Sequence, residues 1–247
     1  MMHIFKSFSF ITIPLLLIGS VAFSDDLYNQ GKYAEASLKW LGEPNKTWAT
    51  YYNIGNSFYK AGQPGKAVAY FEKALSDAPR SEKSDIRHNL DLATQKLKDS
   101  GFHQDNLSFW YGKIVPFFKH GYTQIFGLLL LLCATSLNFF LISYFRKKQT
   151  LSWRAMGSPL PIGLICLTLL FSTVFFIGNF AQKTTLGAVI SENIVAKSGP
   201  GDKFTDLFKL YPGTTIVITG EKQDNWFQVR FSIGNIGWVH EKDLLLY

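Results

Sequence analysis

The sequence predicts a multidomain membrane protein that combines an all-α repeat domain, two transmembrane helices and an all-β barrel. Three observations lead to this fold class. Two uncharged apolar stretches occupy the middle of the chain, and each has the roughly 20 residues needed to cross a bilayer as a helix. The segment before them has apolar residues at helical spacing in a pattern that recurs. The segment after them consists of short strand-like runs separated by Gly, Pro and Asp-Asn turns.

The amino-terminal 24 residues have the layout of a secretory signal peptide. Lys6 precedes the apolar run "FSFITIPLLLIGSVAFS", which closes with the small residues Ala22 and Ser24 before Asp25. The run is short for a membrane span, and a basic start followed by an apolar core and small residues is typical of a secretory signal. We therefore assign residues 1–24 to a signal peptide that directs the next domain across the membrane.

The two apolar stretches predict transmembrane helices over residues 123–145 and 159–180. The loop between them, residues 146–158, contains four basic residues and no acidic one. Because basic residues concentrate in short cytoplasmic loops, we expect this loop to face the cytoplasm and both flanking domains to lie on the opposite side. A hydrogen bond between Asn138 and Thr168 could join the two helices, and the sequence leaves this open.

The net charge of +7 does not favour a nucleic-acid-binding protein. More than half of the excess lies in the predicted cytoplasmic loop, on Arg146, Lys147, Lys148 and Arg154, where membrane topology explains it. The segment from residue 181 onward is neutral. We therefore expect the lipid bilayer and other proteins as partners, and no nucleic acid.

A helical pattern repeats within residues 25–100. The stretch "YYNIGNSFYKAGQPGKAVAYFEKALSDAP" begins at Tyr51 and has the two-helix pattern of one complete unit, with partial units before and after it. The small residues Gly55 and Ala67 fall where paired helices cross closely, and Pro79 ends the second helix. This segment resembles the tetratricopeptide repeat family, which implies a short all-α domain that ends in a capping helix.

The resemblance to tetratricopeptide repeats implies a groove for an extended peptide, lined by the first helix of each repeat. Six side chains would face this groove: Asn53, Asn56, Tyr59, Lys60, Lys83 and Arg87. An Asn followed one repeat later by Lys and Arg is similar to the arrangement with which some of these domains hold a terminal carboxylate. A solvated helix face without a ligand is the alternative.

The segment 101–122 links the repeat domain to the first apolar helix and contains the aromatic run "LSFWYGKIVPFFKHGY". Trp and Tyr side chains prefer the headgroup region of a bilayer, and Lys and His are compatible with the same place. We predict an interfacial segment that holds the repeat domain close to the membrane, in preference to a ligand-binding site.

Short apolar runs within residues 181–247 predict strands, among them "AVIS", "TTIVITG", "WFQVRFS" and "IGWVHE". The order of "AKSGPG", "LFKLYPGTTIVI", "NWFQVRF" and "IGWVHEKDL" is similar to that of bacterial SH3-like domains, which implies a small closed barrel. In such a domain Ser198 to Gly201 would form the turn that opens a long loop, and Pro212 with Gly213 would form a second tight turn.

Side chains of this predicted barrel divide into core and candidate groove residues. Four apolar residues are predicted to be core: Leu210, Val217, Val229 and Val239. Four aromatic residues are candidates for a binding groove, with a place in the core as the alternative: Phe204, Tyr211, Trp226 and Trp238. The resemblance implies binding of cell-wall peptide or of protein segments.

The order of the parts, with the motifs "YYNIGNSFYKAGQ", "IRHNLDLA", "VAKSGPG" and "DLFKLYPGT", resembles the BatE-like proteins of bacterial aerotolerance (Bat) operons. This resemblance implies a non-enzymatic scaffold in the bacterial inner membrane with both soluble domains in the periplasm. The implied partners are von Willebrand-type membrane proteins and an AAA ATPase, and the implied role lies in oxidative or envelope stress. The alternative is a cell-wall sensor that binds peptidoglycan through the SH3-like domain.

The sequence contains no recognisable catalytic or metal-binding set. The histidines at 88, 103, 120 and 240 fall in different segments, and Cys133 and Cys166 both fall inside the apolar helices. Neither the spacing of a metal site nor a thiol nucleophile outside the membrane is present. We therefore expect no enzyme activity, no cofactor and no metal.

Overall fold

The computed structural model describes residues 26–99, 106–147, 159–220, 222–232 and 234–247. The chain forms two compact units, of which one combines the segment before residue 110 with Leu186–Tyr247 and the other comprises Trp110–Thr185. The predicted signal peptide, the part of the basic loop after Lys147 and the first residues of the interfacial segment, 101–105, lie outside the described residues.

The repeat segment of the first unit contains the helices α1 (Tyr33–Leu41), α2 (Trp48–Lys60), α3 (Pro64–Asp77) and α4 (Lys83–Asp99). Reciprocal hydrogen bonds between Thr47 and Thr50 satisfy two N–H groups at the start of α2. Gly62, at φ 77°, then turns the chain, and Pro64 occupies the start of α3, where its fixed φ suits the helix.

The predicted close crossing of α2 and α3 is confirmed. A Cβ atom on Gly55 would lie 2.6 Å from Cδ1 of Phe71, which is inside van der Waals contact, so only glycine permits this approach. Ala67 and Phe71 are completely buried. Trp40 of α1 and Ile86 of α4 belong to the same hydrophobic core, so all four helices share it.

The carboxy-terminal segment forms one antiparallel sheet in the order β3-β2-β6-β5-β4-β1-β7. Its strands are β1 (Leu186–Val189), β2 (Ile194–Lys197), β3 (Asp206–Leu210), β4 (Thr215–Ile218), β5 (Trp226–Ser232), β6 (Asn235–His240) and β7 (Leu244–Leu246). Among the described residues β3 and β7 are the two edges, and no strand pairing joins them. The hydrogen bonds therefore give an open sheet where the sequence predicts a closed barrel.

One face of this sheet holds a hydrophobic core, and three of the four predicted core residues belong to it. Leu210, Val229 and Val239 are buried there. Val217 is also buried, but it lies on the other face of the sheet, because its neighbour Ile218 is paired with Val229 and successive residues of a strand point to opposite faces. Val217 is therefore buried as predicted, but on the opposite face of the sheet from the other three.

The two turns predicted from glycine and proline are confirmed. Ser198 to Gly201 opens the loop that connects β2 to β3, with the Ser198 N–H donating to the Thr205 carbonyl at 2.9 Å and Gly201 at φ 147°. In the second turn Gly213 has φ 86° and the Thr214 N–H donates to the Tyr211 carbonyl at 3.0 Å. Proline followed by glycine with positive φ is the arrangement of a type II turn.

Helix α3 packs against the sheet inside the first unit. Ile190, after β1, and Leu245 of β7 contact the hydrophobic core of the repeat segment. A Cβ atom on Gly65 would lie 2.4 Å from the carbonyl oxygen of Pro212, so the backbone of α3 touches the second turn directly. The Nζ atom of Lys66 and the Oε1 atom of Glu192 are 3.5 Å apart at the same contact. The repeat segment and the sheet are therefore one packed body.

The second unit is helical and contains the two predicted apolar helices. It comprises most of α5 (Asn106–Phe117), a π-helical turn at Phe118–Tyr122, α6 (Thr123–Lys147) and α7 (Pro159–Lys183). The spans Thr123–Arg146 and Leu160–Lys183 are long and apolar enough to cross a membrane. A Cβ atom on Gly127 of α6 would lie 3.0 Å from the Phe175 ring of α7, so the two helices pack closely there.

The hydrogen bond between Asn138 and Thr168 that the sequence leaves open is not formed. Asn138 Nδ2 donates to the carbonyl of Ala134 at 3.3 Å, and Thr168 Oγ1 donates to the carbonyl of Leu164 at 2.7 Å. Each side chain thus binds the backbone of its own helix, as Ser, Thr and Asn commonly do in apolar surroundings. The contact between α6 and α7 includes Gly127 against Phe175 and the rings of Phe126 and Phe171.

Candidate protein-binding site

The polar face formed by α2 and α4 is held together by one asparagine. Asn89 of α4 donates its side-chain amide to the hydroxyl of Tyr52 at 2.7 Å and to Oδ1 of Asn56 at 2.9 Å. Both acceptors belong to α2, so Asn89 fixes the spacing of the two helices that the repeat pattern assigns to a peptide groove. Asn56, one of the six predicted groove residues, therefore has an internal partner.

A second contact between the same helices uses an aromatic ring. The Nζ atom of Lys96 lies 5.0 Å from the ring centroid of Tyr59, within the range of a cation–π interaction. Tyr59 is half-buried beneath it, whereas Lys60, the next residue, is exposed at the end of α2. Asn53, one turn before Asn56, is half-buried on the same helix.

A basic cluster of Arg80, Lys83 and Arg87 lies at the start of α4. The side chain of Lys83 is buried, and Arg87 is exposed. The pKa of Lys83 is lowered, first by its burial and then by the positive charges of Arg87 and Arg80, while Asp77 acts in the opposite direction. Positive charge concentrated in this way attracts carboxylate or phosphate groups of a partner.

The six predicted groove residues thus lie in three settings. Asn56 and Tyr59 contact α4, Lys83 and Arg87 belong to the basic cluster, and Asn53 and Lys60 lie on α2, half-buried and exposed respectively. Sequence reasoning missed four residues of this face: Tyr52, Arg80, Asn89 and Lys96. The position of Asn89 was a usable signal, because it lies one 34-residue repeat after Gly55 and places an amide where a small residue is expected.

The sheet carries a second candidate surface, which consists of two indoles on one face. Strand register places Trp226 opposite His240 and Trp238 opposite Gln228 across β5 and β6. Residues paired in this way point to the same side, so both indoles lie on the face opposite to the core residue Val229. Trp226 meets the His240 imidazole edge-on at 5.3 Å, and both indoles are half-buried.

The other two predicted groove aromatics lie apart from the indoles. Phe204 covers the first turn, where a Cβ atom on Gly199 would lie 2.5 Å from its ring, so glycine is needed for that contact. Tyr211 follows β3 and is 54% exposed. Among the described residues no ring contact joins either side chain to Trp226 or Trp238. The strand register therefore places two of the four aromatics, Trp226 and Trp238, on one face of the sheet.

Two titratable side chains lie where α3 meets the sheet. The pKa of Glu72 is raised to about 7, first by burial and then by the nearby carboxylate of Asp91 on α4. Burial also raises the pKa of Tyr247 well above its ordinary value, and the charge of Glu72 adds to this effect, while a hydrogen bond with Thr215 opposes it. Glu72 is consequently protonated over much of the range below neutral pH.

One helical segment of this chain matches a known protein family. Residues 48–76, which cover α2 and nearly all of α3, match the tetratricopeptide repeat family. Neither the comparison with curated proteins nor the comparison with solved structures gives a match. The segment 48–76 is therefore a tetratricopeptide repeat.

Proposed function

We propose that this chain is a non-enzymatic scaffold, anchored in a membrane by α6 and α7, that binds another protein through its repeat segment. The tetratricopeptide repeat at residues 48–76 carries the proposal, because such repeats are protein-interaction modules. The basic cluster beside it favours a partner that presents a carboxyl terminus or an acidic segment. A partner of this kind would contact Lys60 and Arg87, which are both exposed.

The packing within the first unit supports a topology with two membrane spans. Gly65 and Lys66 precede the apolar helices in sequence, whereas Pro212 and Glu192 follow them, and these residues are in contact. A folded body lies on one side of a membrane, so a chain that leaves it and returns crosses an even number of times. The basic loop 146–158 would then lie alone on the cytoplasmic side.

The resemblance to BatE-like proteins gives this scaffold its proposed setting. We place the chain in a bacterial inner membrane, with the repeat segment and an SH3-like sheet domain in the periplasm and residues 101–122 at the bilayer surface. The exposed indole of Trp110 in α5 is consistent with an interfacial helix. Von Willebrand-type membrane proteins are the proposed partners, and oxidative or envelope stress is the proposed context.

A crosslinking experiment with paired variants tests the scaffold. The full chain is crosslinked mildly in cells, purified in detergent and analysed for stoichiometric partners, in the wild type, in Lys60→Glu/Arg87→Glu and in Lys242→Glu. The last variant reverses an exposed charge on the turn between β6 and β7 and serves as the control. We expect a membrane-protein partner whose recovery falls at least about tenfold only in the double variant. Equal recovery from all three chains would contradict a groove-based scaffold.

The two indoles on the sheet favour a second candidate, a sensor that binds peptidoglycan. Half-buried aromatic side chains that share one face are suited to stacking on sugar or peptide groups. Binding of the full chain to purified cell wall, lost in Trp238→Ala and retained in Lys60→Glu/Arg87→Glu, would support the sensor. Recovery of muropeptides with no protein partner from the crosslinked cells would exclude the scaffold.

A further inference from the structure

The middle of α6 carries an exposed carboxamide. Asn138 is exposed, as are four other side chains on the same side of this helix: Leu131, Thr135, Ile142 and Phe145. Within the described part of the chain its amide makes one hydrogen bond, to the Ala134 carbonyl of its own helix, at the long distance of 3.3 Å. Among the described residues, one N–H and the carbonyl oxygen of this side chain have no hydrogen-bond partner.

The position of Asn138 along α6 makes this unusual in a membrane. It lies eight residues before Arg146, the end of the apolar span, and so about 12 Å from that end at the helical rise of 1.5 Å per residue. A hydrocarbon core about 30 Å thick therefore surrounds it. Lipid tails cannot hydrogen-bond, so a free carboxamide at this depth is unfavourable unless a second protein surface meets it.

Other polar side chains of the two helices do not have this problem. Thr135, Ser136 and Thr173 each have a single hydroxyl hydrogen, which is donated to a carbonyl of the same helix at 2.8–2.9 Å. Asn179 of α7 is half-buried and donates to Phe175 at 2.9 Å. Gln124 and Gln182 are also exposed, but they lie at the ends of the spans, where headgroups and water reach them. Asn138 is thus the exposed amide in the interior of the described spans.

We propose that Asn138 joins two copies of this chain inside the membrane through a reciprocal pair of carboxamide hydrogen bonds, an inference that rests on the membrane-spanning role proposed above. A carboxamide is its own complement, because it contains a donor and an acceptor side by side. Under two-fold symmetry Nδ2 of Asn138 in each copy donates to Oδ1 of Asn138 in the other. The two side chains thus satisfy each other's free donor and acceptor.

The surroundings of Asn138 fit a second copy of the same helix. No charged residue lies between Thr123 and Phe145, so two α6 helices approach without repulsion. The positions one or two turns away on the same face carry side chains suited to packing against a second copy: Leu131, Thr135, Ile142 and Phe145. The polar contact would fix the register of the pair, and these side chains would supply its packing.

Sedimentation equilibrium tests this self-association. The full chain is studied in a detergent matched in density to the buffer, at several protein-to-detergent ratios, as wild type, Asn138→Leu, Asn138→Gln and Thr173→Val. We expect a monomer–dimer equilibrium for the wild type and about three- to thirty-fold weaker dimerisation for Asn138→Leu. Asn138→Gln retains a carboxamide, so we expect it to dimerise nearly as strongly as the wild type. Thr173→Val removes an exposed, internally bonded hydroxyl and should change nothing.

Two results would overturn the inference. If the wild-type chain stays monomeric at every ratio, two copies do not associate. If the Asn138→Leu variant dimerises as well as the wild type, the Asn138 amide does not stabilise the dimer. Extraction of cell membranes with alkaline carbonate separates these failures from failure of the proposed function. A chain released by carbonate is not membrane-spanning, whereas a chain retained by the membrane but monomeric contradicts self-association alone.

Discussion

The two sides of the repeat segment are used differently. On one side α3 is covered by the sheet, through glycine contacts, apolar side chains and the half-buried Glu72. On the other side α2 and α4 carry the hydrogen bonds of Asn89 and the basic cluster, with Arg87 exposed. A repeat that in a longer array would contact further repeats here contacts a sheet, and its polar side stays open for a partner.

The largest expected effect is a loss of stability in Gly65→Val, a substitution on the side of α3 that the sheet covers. The new side chain would collide with the Pro212 carbonyl, because a Cβ atom there lies 2.4 Å from the oxygen and backbone cannot easily yield. We expect the free energy of unfolding of the full chain in detergent to fall by about 3 kcal/mol, as for severe overpacking. Thermal unfolding should show a Tm lower by roughly 6–12 °C.

Gly112→Ala is the matched control for this substitution, because a Cβ atom at Gly112 has nothing within 4 Å. It should leave the Tm unchanged or raise it slightly, since alanine favours helix. If Gly65→Val unfolded at the same temperature as the wild type, the contact between α3 and the second turn would not contribute to stability. Partner capture through α2 and α4 should survive Gly65→Val at temperatures where the chain is folded.

A smaller effect is expected from Glu72→Gln, and it should depend on pH. The pKa of Glu72 is about 7 in the folded chain, above the ordinary value of about 4.3 expected when it is unfolded. Between these values the folded chain holds the proton more tightly, so the free energy of unfolding decreases as pH rises from about 4.5 to 7. Glutamine removes this loss, and we expect the variant to be more stable than the wild type by roughly 2 kcal/mol at pH 8.

The difference between wild type and Glu72→Gln should be small at pH 4.5, where the carboxyl is protonated in the folded chain. Tm measured across this pH range in detergent would show the two curves diverging toward high pH. Glu35→Gln, which alters an exposed carboxylate on α1, should follow the wild-type curve. A Glu72→Gln chain less stable than the wild type at pH 8 would mean that the ionised carboxylate makes a favourable contact.

The smallest effect is expected on the open side, from Asn89→Ala. The substitution removes hydrogen bonds to Tyr52 and Asn56, and both acceptors regain water because they are only half-buried. We expect the free energy of unfolding to fall by about 1 kcal/mol. Amide hydrogen exchange in α4 should quicken while exchange in β1 and β7 stays at the wild-type rate. Faster exchange in the sheet as well would show that the two sides are not independent.

The parts of this fold that depend on local sequence were predictable. Gly55, Ala67 and Phe71 lie within a single repeat, and the spacing of small and large residues there reports directly which helices cross. The two apolar helices and the Pro212–Gly213 turn are equally local, since length, composition and φ preference determine them.

The docking of the sheet on α3 could not be predicted in this way. Gly65 looks like a turn residue in the sequence, and its contact with Pro212 joins positions almost 150 residues apart. Strands β2, β3 and β7 were also missed as separate elements, because they are only three to five residues long and β3 is mostly exposed. Their pairing depends on strands that are distant in sequence, and the local alternation of apolar and polar residues does not identify those strands.

The candidate groove shows the same limit at the level of single residues. The helical pattern predicts Asn56 and Tyr59 as groove residues, and in the structure both contact α4, through Asn89 and Lys96. The pattern of one helix could not show these two contacts, because it does not indicate which residue of another helix lies opposite. Lys60 and Arg87 remain the exposed members of the predicted set, and the binding experiment depends on them.

The division of the first unit has a consequence for the order in which the chain folds. The 76 residues of the second unit, 110–185, separate the repeat segment from the sheet. Closing a loop of this length costs little extra free energy, because the cost rises by only about 0.6 kcal/mol for each doubling of loop length. Contacts between residues so distant in sequence nevertheless form late. We therefore expect the helices to form first and one side of α3 to stay uncovered until the sheet is made. During that interval this side would be accessible to chaperones and proteases, and docking of the sheet would cover it.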